Sequence, residues 1–407
     1  KRLKEKMNNI KTKAIFYAYS NNALDHLAPY VFLCHQKKMN CVVIYGEDFA
    51  KHKVKPKSNI VKIFADQNIN TYHIANFTIK GFLQTIYLYL WPFSRFIDKH
   101  DFIPIFFKFK IRGLCNRIYE RIDLESIGKN IALKLLKNTD KALIFTDTWN
   151  INKKIQNNFL LYMKGKATII STNHTPYHFT FQKPIEETPV LEDIKLLGNH
   201  WQETDDKSLV KSKVTIGSLR YSKKWMTILD QYSEEKIPKK NHKKNVLIIA
   251  HNKTYTSDWK RMLELLSKLA KREDVNLRIL PHVRGMINME PPTELKNAWD
   301  KTSTLDVAVK KADIVIFWVS SGFFEAVIRN KKVLYLSFLS TLDGKFIWQK
   351  KAPNNIVIKN EIELFNELSN YDKKEEIDNS CFNEIIWPNG DPWGNASNFL
   401  DKLLNTN

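Results

Sequence analysis

The sequence predicts an α/β protein of two Rossmann-like domains that face each other across a cleft. Three observations carry that expectation. Short apolar runs of strand length alternate with stretches of helical spacing, the order that builds parallel sheets. The pattern stops once, in the charged stretch Ser233 to Lys244, whose only large apolar residue is Ile237, and then begins again. Polar residues of chemical interest follow the ends of the apolar runs, which is the ligand edge of such sheets.

Lys1 to Lys13 is polar and basic and reads as a lead-in. Ala14 to Tyr19 is a strand, followed by the loop Ser20 to Ala23 and a helix from Leu24 to Gln36. Cys41 to Tyr45 is a second strand and Ile60 to Phe64 a third. Gly81 to Arg112 is dense in Phe, Tyr, Leu and Ile with basic residues interleaved, and Pro92 is expected to divide it. It reads either as an amphipathic segment for a membrane interface or as a pair of core helices. Ile122 to Lys137 has helical spacing. Ala142 to Phe145 is a strand running into Asp147, and Ala167 to Ser171 is one running into His174 and His178. Val214 to Ile216 precedes Gly217-Ser218-Leu219-Arg220-Tyr221 and a short helix around Trp225 to Leu229.

After the charged stretch, Asn245 to Ala250 is a strand ending at His251-Asn252-Lys253-Thr254. Trp259 to Lys271 is a helix, and Asn276 to Leu280 a strand ending at Pro281-His282-Val283-Arg284-Gly285. The helix Leu305 to Lys311 leads to Asp313 to Val319, an apolar run of the kind buried on both faces of a sheet. Ser320-Ser321-Gly322 breaks it, Phe323 to Arg329 is helical, and Lys332 to Phe338 is apolar again. Ile356 to Ile358, Glu361 to Leu368 and Asn395 to Leu404 close the chain as strand, helix and helix. The expected limits are a first domain over 1–232, a linker over 233–244, a second domain over 245–390, and a terminal helix over 391–407 placed to cross back to the first domain.

Composition narrows the class. A hydrophobic content of 43% and an aromatic content of 12% support packed cores and exclude a disordered chain. The net charge of +21 favours a polyanionic neighbour: nucleic acid, an acidic membrane surface or a phosphorylated substrate. No nucleic-acid-binding module or clustered basic helix accompanies the charge, so nucleic acid is not expected as a partner. The four cysteines lack metal-ligand spacing and read as buried free thiols in a reducing compartment. The start of the chain has no signal-peptide pattern and no run is long enough to span a bilayer, so a cytoplasmic location is expected.

Three strand-end loops of the second half carry groups suited to a phosphorylated ligand. His282 and Arg284 can meet phosphate oxygens, Arg with its fork of donors. Ser320, Ser321 and Gly322 offer hydroxyls and backbone N–H groups at a helix start, and Asn252 and Lys253 add further donors. Glu325, one turn into that helix, is placed to hold a ribose hydroxyl pair. The same residues also read as ordinary structure, with Ser321 as a helix cap and Glu325 as a first-turn acid favoured by the helix dipole. Neither a Walker loop nor GxGxxG is present, and Asp-x-Asp is absent, so no cofactor and no metal are expected.

Pro281-His282 after a strand, followed further on by a strand that runs into Ser320-Ser321 and the acid Glu325, resembles the donor domain of GT-B glycosyltransferases. The likeness is to enzymes of bacterial surface-polysaccharide assembly, including CMP-sugar-using transferases of the Kdo and sialic-acid type. It is clear over Asn245 to Phe338, and VTIGSLRYSKKW resembles the end of the first domain in that group. The second Pro that the family places after the His is Val283 here. The resemblance implies that His282 contacts the nucleotide phosphate, Ser320 and Ser321 the phosphate and a sugar carboxylate, and Glu325 the ribose. It implies a nucleotide-sugar donor, a lipid-linked oligosaccharide acceptor, and a site of action at the inner face of the cytoplasmic membrane, whose anionic surface the basic charge would favour. A sugar-nucleotide epimerase or a polyol-phosphate transferase of similar fold is the competing enzyme reading.

Glycosyl transfer needs a carboxylate or His near the anomeric carbon, as base or nucleophile. Asp147 is the first candidate and His174 the next, with His178, Asp25 and His26 behind them. Each also reads as a turn or helix-start residue.

Overall fold

The computed structural model describes residues 12–46, 58–77, 82–99, 102–137, 139, 141–147, 154–172, 191–200, 210, 212–232, 243–251, 253–281, 290–345, 348–349, 356–372 and 377–405. Among them, two parallel sheets form two α/β domains, as the alternation of apolar runs predicts.

The first sheet contains β1 (Thr12–Ala18), β2 (Asn40–Tyr45), β3 (Asn70–His73), β4 (Lys141–Asp147), β5 (Thr168–Thr172), β6 (Ile194–Leu197) and β7 (Ser212–Thr215). Their order is β3-β2-β1-β4-β5-β6-β7. The pairs are parallel throughout, with Tyr17 of β1 opposite Thr146 of β4 and Asp147 opposite Thr172 of β5. Central strands are buried on both faces, which is why β1 and β4 read as unbroken apolar runs, whereas the edge strand β3 is polar and largely exposed. The helices are α1 (Asn21–Gln36), α2 (Ser58–Asp66), α3 (Phe82–Lys99), α4 (Ile105–Glu120), α5 (Leu124–Leu136), α6 (Lys154–Met163) and α7 (Lys223–Gln231).

Two local expectations are corrected. Ile60 to Phe64 is part of α2, not a strand. Ile60, Ile63 and Phe64 are buried while Val61 faces outward, a helical i, i+3, i+4 pattern. The third strand is the polar NTYH segment that follows it. Pro92 does not divide the aromatic stretch: α3 runs through it, and the break falls at Pro104, just before α4.

The second sheet contains β8 (Lys244–Ile249), β9 (Val275–Leu280), β10 (Ile314–Phe317), β11 (Lys332–Leu336) and β12 (Val357–Ile358), in the order β12-β11-β10-β8-β9 and again all parallel. Around it lie α8 (Trp259–Ala270), α9 (Leu305–Lys311), α10 (Phe323–Ile328), α11 (Glu361–Asn370) and α12 (Asn383–Ile386). Most of the charged stretch 233–244 lies outside the described residues, and its last residue, Lys244, opens β8.

The last helix, α13 (Pro392–Asn405), packs on the first domain. Ala396 and Leu400 enter the first core, Asp401 pairs with Lys37 at 2.6 Å, and Lys141 donates to the Leu403 carbonyl at 3.0 Å. No helix among the described residues is long and apolar enough to cross a membrane.

Candidate active site

In each sheet the strand order reverses direction once, between β1 and β4 and between β8 and β10. Ligands of open parallel sheets bind outside the strand C-termini at such a reversal. In the first sheet, β1 leads to Ser20, whose hydroxyl accepts from the Ala23 N–H at 3.1 Å and caps α1. The early turns of α1 then carry Asp25 and His26, both buried. On the other side of the reversal β4 ends at Asp147, 2% exposed. Gln156 donates to the Thr146 hydroxyl, and the Thr172 hydroxyl to the Thr146 carbonyl at 3.4 Å, so the ends of β4 and β5 are tied together. His174 lies outside the described residues, as does His178.

In the second sheet β8 runs into His251, a buried ring set edge-on to Tyr255 at 4.7 Å, and then into a 3-10 turn that holds the exposed Lys253. Across the reversal β10 runs into Trp318, whose indole N–H donates to the Thr256 hydroxyl at 3.1 Å. Ser320 and Ser321 are half-buried, and the Ser320 hydroxyl accepts from the Gly322 N–H at 3.2 Å. A Cβ on Gly322 would lie 2.8 Å from Leu305 Cδ2, so packing against α9 accounts for the glycine. The loops after β8, β9 and β10 share one sheet edge because the three strands are parallel neighbours. Asn252, His282 and Arg284 lie outside the described residues.

The two edges are joined by the segment Gly217 to Trp225. Gly217 has φ +96°, a conformation that side chains other than hydrogen strain to adopt. Past it, Trp225 packs in the first core and Tyr221 in the second. The Tyr221 hydroxyl donates to the Ser321 carbonyl at 3.1 Å, and burial pushes that phenol up to about 12. Arg220, between them, reaches Glu325 at 3.3 Å and Asp25 at 3.6 Å, with its other Nη 3.5 Å from His26 Nε2. Burial pulls the guanidinium down, but Tyr221, Asp25 and Glu325 outweigh it and hold Arg220 above its ordinary range. Further ties flank this cluster. Asn59, at the start of α2, donates to Asp306 of α9 at 2.9 Å, and Arg329 forks onto Asp230 of α7 at 2.7 and 2.8 Å. The C-terminal edges of the sheets therefore meet. Beside the contact His26, Tyr30, Thr172, Gly198, Ser218 and Arg220 line a small open pocket on the first-domain side.

The sequence-predicted residues thus fall into three sets. Asp147 is on the first edge, and Lys253, Ser320, Ser321 and Gly322 are on the second. Glu325 is 3% exposed and its carboxylate meets Arg220, so in this arrangement it serves the domain contact and not an open ribose position. Arg220 and His251 were not singled out from sequence. Arg220 meets Asp25 and Glu325 across 195 and 105 positions, so no local spacing announces the cluster. The usable signal is a charged residue between two large apolar ones in SLRY, just past the Gly217 turn that follows β7.

No family model matches the chain, and no curated protein does. Solved structures do. A UDP-GlcNAc 2-epimerase from Methanocaldococcus jannaschii superposes with a TM-score of 0.56 at 10% identity, over 97% of this chain and 100% of that one. A UDP-N-acetylglucosamine 2-epimerase from Rickettsia bellii gives 0.54 at 13% identity, over 97% and 96%. The glycotransferase of kitacinnamycin gives 0.53 at 8% identity, over 96% and 98%. At such identities the likeness is one of fold. The fold is the GT-B type, in which two Rossmann-like domains face a cleft.

Proposed function

We propose that this chain is a glycosyltransferase that binds a nucleotide-sugar on the second domain and delivers the sugar to an acceptor held on the first. The observation that carries the reading is the meeting of the two strand-reversal edges through Arg220, Asp25 and Glu325. The donor sits along the loops after β8, β9 and β10. Lys253, Arg284 and His282 offset the charge of the leaving phosphate, without a metal, while Asn252, Ser320, Ser321 and Gly322 supply further donors. Asp147 acts from the opposite edge, with His174 as the next candidate, and takes the proton of the acceptor hydroxyl. The freed oxygen attacks the anomeric carbon, and the bond to the phosphate oxygen breaks with its electron pair going to the nucleotide. The donor is a CMP-linked acidic sugar of the Kdo class. The acceptor is a lipid-linked glycan at the cytoplasmic face of the membrane, in surface-polysaccharide assembly. Support for the donor class comes from the Pro281-His282 and Ser320-Ser321 pattern.

The test is turnover. The chain is incubated with CMP-, UDP- and GDP-sugars, with and without a lipid-linked acceptor and with EDTA present. Nucleotide release that needs the acceptor and survives EDTA is expected. Asp147→Asn should keep donor affinity and lower kcat by 10²-fold or more, roughly the contribution of a positioned proton-transfer group. Full turnover in Asp147→Asn rejects the role given to that residue. A second reading, a nucleotide-sugar epimerase, is favoured by buried His251 at the end of β8, which puts a titratable ring on the donor side, and by the neighbours named as 2-epimerases. It predicts a change in the donor sugar with no acceptor present.

A further inference from the structure

The helices α3 and α4 form a pair that packs together through Tyr87, Trp91, Cys115 and Tyr119, with Tyr87 5.6 Å from Trp91 and 5.4 Å from Tyr119. The outer side of this pair is unusual for a protein surface. On α3, Tyr89, Phe93 and Phe96 recur at i, i+4 and i+7 and are exposed, Tyr89 by 77%. In the turn before α4 Phe102 is exposed by 80%, and in its first turns Phe106 and Phe109 are exposed by 65% and 63%, with Ile105 and Phe107 standing out beside them. An aromatic patch of this density is a binding surface and not incidental exposure.

Its charge says for what. From Phe102 to Tyr119 the sequence holds Lys108, Lys110, Arg112 and Arg117 and no acidic residue. Lys110 Nζ lies 4.4 Å from the centre of the Phe106 ring, so cation and aromatic share one face. Cores of protein–protein interfaces are depleted in lysine. A bilayer interface takes the same mixture readily: rings sink to the boundary of headgroups and acyl chains while long cationic side chains stay at the anionic headgroups.

We infer that the α3–α4 pair is the membrane-binding element of this protein, with Phe102, Phe106 and Phe109 inserted in the interface of an anionic bilayer and Lys108, Lys110 and Arg112 at its headgroups. The inference rests on these helices alone and not on the reaction proposed above, so vesicle binding and turnover can fail independently. The pair leaves the first sheet after the C-terminal end of β3, on the sheet edge that meets the second domain.

The experiment is co-sedimentation of the full chain with vesicles of phosphatidylcholine alone and with vesicles carrying about one-third phosphatidylglycerol. Binding to the anionic vesicles only is expected, with release at about 1 M salt, where screening acts within about 3 Å. Lys108→Glu with Lys110→Glu should weaken it by more than tenfold, since each lysine near the surface accounts for about fivefold. Phe106→Ser with Phe109→Ser should abolish it with every cation retained. A second measurement needs no loss of aromatic packing: Phe102→Cys, labelled with an environment-sensitive dye, should shift to the blue on anionic vesicles. No sedimentation of the unaltered chain, or no spectral shift, overturns the inference. So does a lipid-free dimer that the same phenylalanine substitutions dissolve, because the patch would then be covered by a second copy.

Discussion

Arg220, Asp25 and Glu325 hold three formal charges in a space that water scarcely reaches, with side-chain exposures of 8%, 8% and 3%. Removing the cation would strand two carboxylates there. Arg220→Met should therefore cost about 3–5 kcal/mol, measured as lost unfolding free energy in urea. Glu325→Gln keeps an acceptor for Arg220 and should cost less. Equal losses would mean that the pair is not the source of the stability. The thiols make a second case. Burial lifts Cys41 to about 12 and Cys381 to about 11, and holds Cys34 well above its ordinary range, with Cys41 adding to the effect on Cys34. At pH 8 the native protein should react slowly with a disulfide reagent at these positions, and unfolding should release all four cysteines to fast reaction. Fast native reaction at Cys34 or Cys41 would contradict the packing. The buried Cys34 and Cys41 are legible in the apolar runs that carry them, whereas Cys381 lies in a polar segment and is only half-buried. The Arg220 cluster is not legible, because it is made by folding and its members are far apart in sequence.

At the scale of elements, legibility followed burial. β1, β4 and β10 are covered on both faces, and their sequences show it as continuous apolar runs. β3 lies at an edge with three of its four residues exposed, and nothing in NTYH distinguishes it from a loop. IVKIF in α2 is short and β-branched at its first two positions, the signature of a strand, and only the burial of Ile60, Ile63 and Phe64 reveals the helical face. α5 and α6 pack so closely at Gly128 that a Cβ there would lie 2.7 Å from the Phe159 backbone N and 2.9 Å from the Ile155 carbonyl. Gly128→Ala should lower stability by about 1–3 kcal/mol, since backbone must move, and an unchanged melting point would show the two helices free to separate. The turn between α8 and β9 offers a pH test. The hydrogen bond from Arg272, with help from Lys244, holds the Asp274 carboxyl down at about 2. That value lies below the unfolded carboxylate's value of about 3.9, so the contribution is complete above pH 4 or so and is lost as pH falls toward about 2. Asp274 is 44% exposed, so the effect is screened to about 1 kcal/mol at most. Asp274→Asn should accordingly lower stability at pH 7 by about 1 kcal/mol at most, leave it unchanged near pH 2, and so flatten the acid limb of the stability curve.

The molecule as a whole is two sheets held edge to edge by a crossing segment that enters both cores and by a last helix that returns to the first domain. Much of this architecture was legible, because a parallel sheet repeats one pattern and the pattern restarts after a charged stretch. The facing of two domains was legible too, but the pairs that hold them were not: Asn59 with Asp306, Arg220 with Glu325, and Asp230 with Arg329 link distant segments. The central claim is that this contact shapes a nucleotide-sugar site. Thermal unfolding of the full chain against CMP-, UDP- and GDP-sugars tests it most directly. One nucleotide class should raise the midpoint, with a gain approaching about 2.7 kcal/mol at a hundredfold excess over its dissociation constant. No shift with any of the three would contradict the account.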